Sequence, residues 1–196
     1  MSSAARPTGR DQVRSAILDA ATRRFAAEGS GASLRHIATD AGVNLGLIHR
    51  HFGNKDDVLR AVVQHHVETG SSAIAAAPDV AVAIRQIFEG SIHDGLYVRI
   101  MAWLLLESAG EVRYQQDYPG MAALRALATR GDGSDMNDIN DEDIRLMTAM
   151  AAVYGWTVFG PQILAAFGRD GGHDRDVVEA QLAATLERIV TDAGSR

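Results

Sequence analysis

Apolar residues recur at spacings of three and four along most of the chain, the period of an amphipathic α-helix. Between about Asp11 and Glu28, Val13, Ile17, Ala20, Ala21 and Phe25 fall on one stripe. Gly29 is a natural stop, because glycine takes a positive φ without penalty. Ser33 is placed to cap a second helix over about Leu34–Ala41, with Leu34, Ile37, Ala38 and Ala41 inward. Gly42 closes it, and Asn44 can cap a third helix over about Leu45–His51, ended by Phe52 and Gly53. Asn54 opens a fourth, with Asp56 and Asp57 in the first turn, where the helix dipole favours acids. Its apolar positions are Val58, Leu59, Val62 and Val63.

Longer helical stretches follow. One starts near Pro78 and carries Val82, Ile84, Ile87 and Phe88 towards Asp94. Another, about Tyr97–Glu107, is apolar on most sides, which predicts central burial. A third lies near Pro119–Thr129, and the polar residues 130–140 read as a loop. The segment from about Asp141 to Phe167 is expected to kink or split at Gly160-Pro161. The last helix spans about Arg175–Ala193. β-branched and aromatic residues never alternate cleanly over more than four positions, so the chain reads as all-α.

Composition narrows the chemistry. Hydrophobic residues make up 46% and charged residues 22% of 196, which is ordinary globular usage. With no cysteine, disulfides, thiolate metal sites and a cysteine nucleophile are excluded. The longest apolar run, near Met147–Phe159, is interrupted and falls short of the ~18 residues of a membrane span. Residues 1–10 lack the apolar segment of a secretory signal, so a cytoplasmic protein without membrane contact is expected. There is no glycine-rich phosphate loop, G-x-S-x-G or H-E-x-x-H, so neither an enzyme nor a cofactor or metal site is expected.

The net charge of −6 is unevenly spread. Residues 1–60 hold nine basic and six acidic side chains, whereas residues 61–196 hold ten and nineteen. A basic amino-terminal segment on an acidic chain suggests that one end meets a polyanion. The same segment holds two short helices, Leu34–Ala41 and Leu45–His51, joined by Gly42-Val43-Asn44. That is the pattern of a helix-turn-helix, whose second helix enters the major groove of DNA. Ile37, Ala38, Ile48 and Phe52 are expected to form its small core with Phe25.

Residues 13–59 resemble the DNA-binding domain of the TetR family of bacterial regulators. The resemblance is carried by Ile17-Leu18-Asp19-Ala20-Ala21, Phe25-Ala26-Ala27-Glu28-Gly29 and Ile37-Ala38-Thr39-Asp40-Ala41-Gly42-Val43. It continues through Gly46-Leu47-Ile48, His51-Phe52-Gly53-Asn54-Lys55 and Leu59. It implies a three-helix helix-turn-helix domain, placed at residues 1–53, and a larger helical effector-binding and dimerisation domain at 54–196. It also implies a homodimer, a double-stranded DNA operator, and in most cases repression relieved by a small molecule.

Carried over residue by residue, the resemblance assigns DNA contacts to Ser33, Arg35, Asn44, Leu45, Gly46, Leu47, His49, Arg50, His51 and Lys55. Ser33 matches a threonine that touches phosphate, and Arg35 a position that often reaches a base edge. His51 and Lys55 match positions that clamp phosphates. Arg50 is the expected base reader, since arginine bonds guanine bidentately. Leu47 can pack on thymine methyls, and Gly46 allows the backbone close to the duplex. The family usually has tyrosine where this chain has His49, and small or polar residues at Leu45 and Leu47, so an operator sequence does not transfer. An arm at Arg6 and Arg10 is a further candidate.

No motif marks the effector site. Bulky residues of the central helices are the candidates: Phe88, Tyr97, Met101, Trp103, Leu104, Met121, Met150 and Tyr154. They suit a small, largely apolar ligand. His93 and Asp94 offer a polar anchor. The dimer seam is expected on about Asp141–Phe159 and Arg175–Ala193, with Val177, Leu182, Leu186 and Ile189 as its stripe. The alternative is a constitutive or partner-controlled DNA-binding regulator with a filled core and no effector.

Overall fold

The computed structural model describes residue 7 and residues 9–107, 117–129, 139–169 and 172–192. The expected loop falls mostly outside these residues, as does Arg6. In chain order the helices are α1 (Arg10–Glu28), α2 (Leu34–Asp40), α3 (Leu45–His51), α4 (Lys55–Ala75), α5 (Val80–His93), α6 (Leu96–Glu107), α7 (Pro119–Ala128), α8 (Asp141–Ala166) and α9 (Gly172–Thr191). A single 3-10 turn, Gly29–Gly31, follows α1. The described residues contain no strand.

The helix starts follow from short polar side chains. Ser33 accepts the N–H of Arg35, and Asn44 accepts that of Leu47 at 2.9 Å. At α4 the capping is reciprocal: Asn54 Oδ1 accepts the N–H of Asp57, and Asp57 Oδ2 accepts that of Asn54, both at 3.0 Å. Asn140 and Asp143 repeat the same box at α8. Each such cap satisfies donors that the helix leaves open and contributes about 1 kcal/mol.

Two compact units emerge. The first takes the described chain to His66 together with α6 from Arg99 onward; the second takes Val67–Val98 and the chain from Asp117. The division runs through α4 and α6. In the first unit α1 packs on α2 and α2 on α3. Phe25, Ile17, Ile37, Ile48 and Ile100 are its fully buried side chains of greatest bulk, followed by Val58, Val62 and Val63. In the second unit α5 packs on α9, α8 and α7, and α8 packs on α9 and α7. Its core joins Ile84, Phe88, Leu124, Leu146, Met150, Val153, Trp156 and Leu186.

Two sequence expectations are corrected. Pro161 lies inside α8, which runs unbroken from Asp141 to Ala166. Helix α6 is not centrally buried: Val98, Ile100 and Leu104 are inward, but Leu105 and Leu106 are 56% and 79% exposed. Of the stripe assigned to the dimer seam, Leu186 is fully buried and Leu182 packs against the same core, whereas Val177 is 42% exposed. Helix α5 packs on the Leu186 side of α9.

The face left open belongs to α8. Ile144, Met147 and Tyr154 are 53%, 52% and 44% exposed, with Ala151 also exposed between them. Helix α8 is long and apolar enough to cross a membrane by length and composition, with a mean hydropathy of 1.2. One third of its most apolar 18-residue window is buried (33%). Its buried Asp143 carboxylate is held by Arg125 of α7 at 2.7 and 2.8 Å.

Candidate nucleic-acid interface

The turn between α2 and α3 is set by hydrogen bonds. Gly42 has φ +66°, and its N–H donates to Thr39 while that of Val43 donates to Ala38 at 3.0 Å. This closes α2 and redirects the chain into α3. Ile48 is the inward anchor of α3, with no exposed surface. Around the rest of the helix Gly46, His49 and Arg50 are exposed, while Leu45, Leu47 and His51 are half-buried. A Cβ on Gly46 would sit 3.2 Å from the Asn44 cap oxygen, so a side chain there would crowd the cap.

The supporting helix is fastened to α1 by charge. Arg24 Nε donates to Asp40 Oδ2 at 2.6 Å and Nη2 to Oδ1 at 3.1 Å, while Nη1 reaches Glu28 at 2.7 Å. The fork geometry and the paired charge hold the Asp40 carboxyl below its ordinary pKa. On the same supporting helix Arg35 is exposed, and Ser33 is spent on the cap while remaining half-buried.

Two assigned residues are engaged within the unit. The Lys55 ammonium donates to the Ser30 carbonyl. The His49 ring meets the carbonyl of Gly53 at 2.8 Å through Nδ1. Phe52 is a correction to the sequence reading: it is half-buried rather than core, with the Arg14 guanidinium 4.6 Å from its ring centre. The short α3 is filled by Ile48 alone, which leaves the ring at the edge as a cation–π partner.

Sequence reasoning missed the fastening of α6. Ser30 N–H lies 3.3 Å from both oxygens of Glu107, and a Cβ on Gly29 would lie 3.1 Å from the Trp103 ring. Partners this far apart in the chain leave no local signal.

The candidate effector residues fall in both units. Met101, Trp103 and Leu104 belong to the first, where Trp103 covers Gly29. Phe88 and Met150 are buried in the core of the second, and Met121 packs against it. Tyr97 and Tyr154 lie close enough to interact, together with Tyr118, which sequence reasoning did not single out. Burial pushes the Tyr97 phenol up to about 12 and raises that of Tyr154. His93 lines an open groove of about 690 Å³ with Glu89, Gly90 and Ile92 of α5 and Arg175 and Glu179 of α9. Glu179 accepts from Arg175 at 2.8 Å and from the Trp156 indole at 3.1 Å.

A three-helix unit with a capped, outward-facing α3, on an otherwise helical chain, defines a helix-turn-helix regulator of transcription. The model of the bacterial regulatory proteins of the TetR family matches residues 17–62. The chain is 34% identical over 165 residues to the HTH-type transcriptional repressor Rv3405c of Mycobacterium tuberculosis, covering 84% of this chain and 82% of that protein. Among solved structures it resembles the transcriptional regulator SCO4942 of Streptomyces coelicolor, with a TM-score of 0.66 at 20% identity over 90% of this chain and 97% of that one. It also resembles the fatty acid degradation regulator FadR of Bacillus halodurans, with a TM-score of 0.61 at 18% identity over 96% and 100%. The chain belongs to the TetR family, and it is a DNA-binding transcriptional regulator.

Proposed function

We propose that this protein is a cytoplasmic homodimeric repressor that leaves its operator when a small, largely apolar molecule binds the second unit. The observation that carries the DNA half of this reading is the outward face of α3, where Gly46, His49 and Arg50 are exposed opposite the buried Ile48. Two such helices, one per subunit, lie in successive major grooves about 34–36 Å apart on a near-palindrome. Arg50 reads a base; Arg35 reaches a base edge from α2; Lys55, His51 and Ser33 hold phosphate.

The second subunit docks on the open face of α8, where Ile144, Met147, Ala151 and Tyr154 leave apolar surface uncovered. Apolar side chains at helical spacing suit the packing of two such helices against each other. The repressor sense is supported by the 34% identical relative, which is named a transcriptional repressor. Phe88, Tyr97, Met121 and Met150 of the second unit are the residues proposed to meet the effector. Release follows if the ligand prefers the subunit arrangement that DNA disfavours.

Selection of duplexes from a random pool, with sedimentation of the free protein and of the complex, tests the reading. One enriched near-palindrome bound by a dimer is expected. Equal affinity for enriched and scrambled duplexes would overturn it.

A further inference from the structure

The ring of His49 is held in one protonation pattern by its neighbour. Nδ1 lies 2.8 Å from the carbonyl oxygen of Gly53. A carbonyl oxygen only accepts, so Nδ1 carries the hydrogen. In the neutral ring Nε2 is then left with a lone pair and no hydrogen. The Gly53 carbonyl is itself held in place. Gly53 has φ +108°, a conformation that other residues rarely adopt, and the Asp57 carboxylate closes on it so tightly that a Cβ would lie 2.6 Å from Oδ2.

His49 stands exposed on α3 beside Arg50. A phosphate oxygen, like the Gly53 carbonyl, only accepts. Neutral His49 therefore meets the DNA backbone with the wrong polarity, lone pair against lone pair. Protonation puts a hydrogen on Nε2 and a positive charge on the ring, which turns the same atom into a charge-assisted donor. We propose that His49 is a proton-dependent phosphate contact, so that binding of duplex DNA takes up a proton on Nε2. This rests on the reading that α3 faces DNA.

Arg50 and His51 follow His49 on α3 itself. On α4, Asp57 lies beside Gly53 with Arg60 bound to its other oxygen at 2.9 Å, and the Lys55 ammonium is on the Ser30 carbonyl. From α1, Arg14 covers Phe52. A DNA phosphate beside Nε2 favours the imidazolium. Linkage gives the sign: affinity rises as pH falls.

The experiment measures affinity for a labelled random-sequence duplex pool, at fixed salt, from about pH 8 to about pH 5.5. The wild type, His49→Phe and His49→Tyr are compared, with circular dichroism confirming that each stays folded. Acidification is expected to tighten wild-type binding severalfold relative to His49→Phe. His49→Tyr, whose phenol donates at every pH used, binds at the alkaline end about as tightly as wild type does at the acid end.

A His49→Phe protein that keeps the wild-type pH dependence overturns the inference while leaving DNA binding intact. A wild type that binds no duplex at any pH overturns the DNA-binding reading and this inference with it. Long-range nitrogen NMR of the free protein gives a check without DNA: the Nδ1–H tautomer is expected at alkaline pH, and an Nε2–H tautomer overturns the proposal.

Discussion

Glu107 of α6 accepts the backbone N–H of Ser30 with both carboxylate oxygens at 3.3 Å, across 77 residues of chain. The carbonyl of the same residue accepts the Lys55 ammonium. Both polar groups of one turn residue thus tie α6 and α4 to the end of α1. The turn tolerates this because Gly29 has φ +55° and no side chain under the Trp103 ring.

Gly29→Ala is therefore expected to destabilise the first unit by about 1–3 kcal/mol. The new Cβ would lie 2.8 Å from Glu107 Oε1 and 3.1 Å from the Trp103 ring, in a strained backbone conformation. Gly31→Ala is the control, since a Cβ there meets nothing within 4 Å. Its thermal midpoint should stay within the effect of about 0.5 kcal/mol. Heat denaturation of the two variants separates them.

Acid should loosen the join between α1 and α2. Arg24 holds the Asp40 carboxyl below its ordinary value. A depressed carboxyl stabilises the fold at pH above the unfolded value of about 3.9, and the contribution is lost as pH falls through the lower folded value. Asp40→Asn should lower the melting temperature modestly at neutral pH, because the pair is exposed. The difference from wild type should shrink as pH falls through the lowered folded value of Asp40. A constant difference at every pH would refute the electrostatic origin.

The pair inside the second unit carries more. Asp143 is 7% exposed and takes both Arg125 and the α8 cap. Arg125→Ala leaves a buried carboxylate without its cation. The expected loss in urea unfolding is about 2–3 kcal/mol, below the ~3–5 of a fully buried pair because Arg125 keeps some solvent. Asp143→Asn keeps an acceptor for the Asn140 N–H and should cost less.

DNA binding separates position from readout. Lys55→Ala should weaken binding to enriched and random duplexes alike and reduce the slope of log affinity against log salt by about 1. Arg50→Ala should cost about 1–3 kcal/mol on the enriched duplex, with little change on random DNA. Fluorescence anisotropy over a salt series reads both.

The subunit contact has its own test. Ala151→Arg places a charge in the middle of the open α8 face without touching the buried one. Sedimentation should show a monomer of unchanged helicity. Leu186→Arg strikes the core and should unfold the second unit instead.

The sequence by itself determined the helices and their caps, because these depend on neighbours three or four residues away. Ser33, Asn44 and Asn54 could be read as caps from their place before an apolar stripe, and Ile37 and Ile48 as inward from the stripe itself. Only the tertiary structure decided how competing apolar faces were shared. Helix α5 packs on the Leu186 side of α9, while α8 keeps an open face. Pro161 does not break α8, although local rules for proline predict that it should. The bonds from Glu107 to Ser30 and from Arg24 to Asp40 join residues 77 and 16 positions apart. Such contacts depend on where whole helices come to rest, and a periodicity read along the chain carries no record of that.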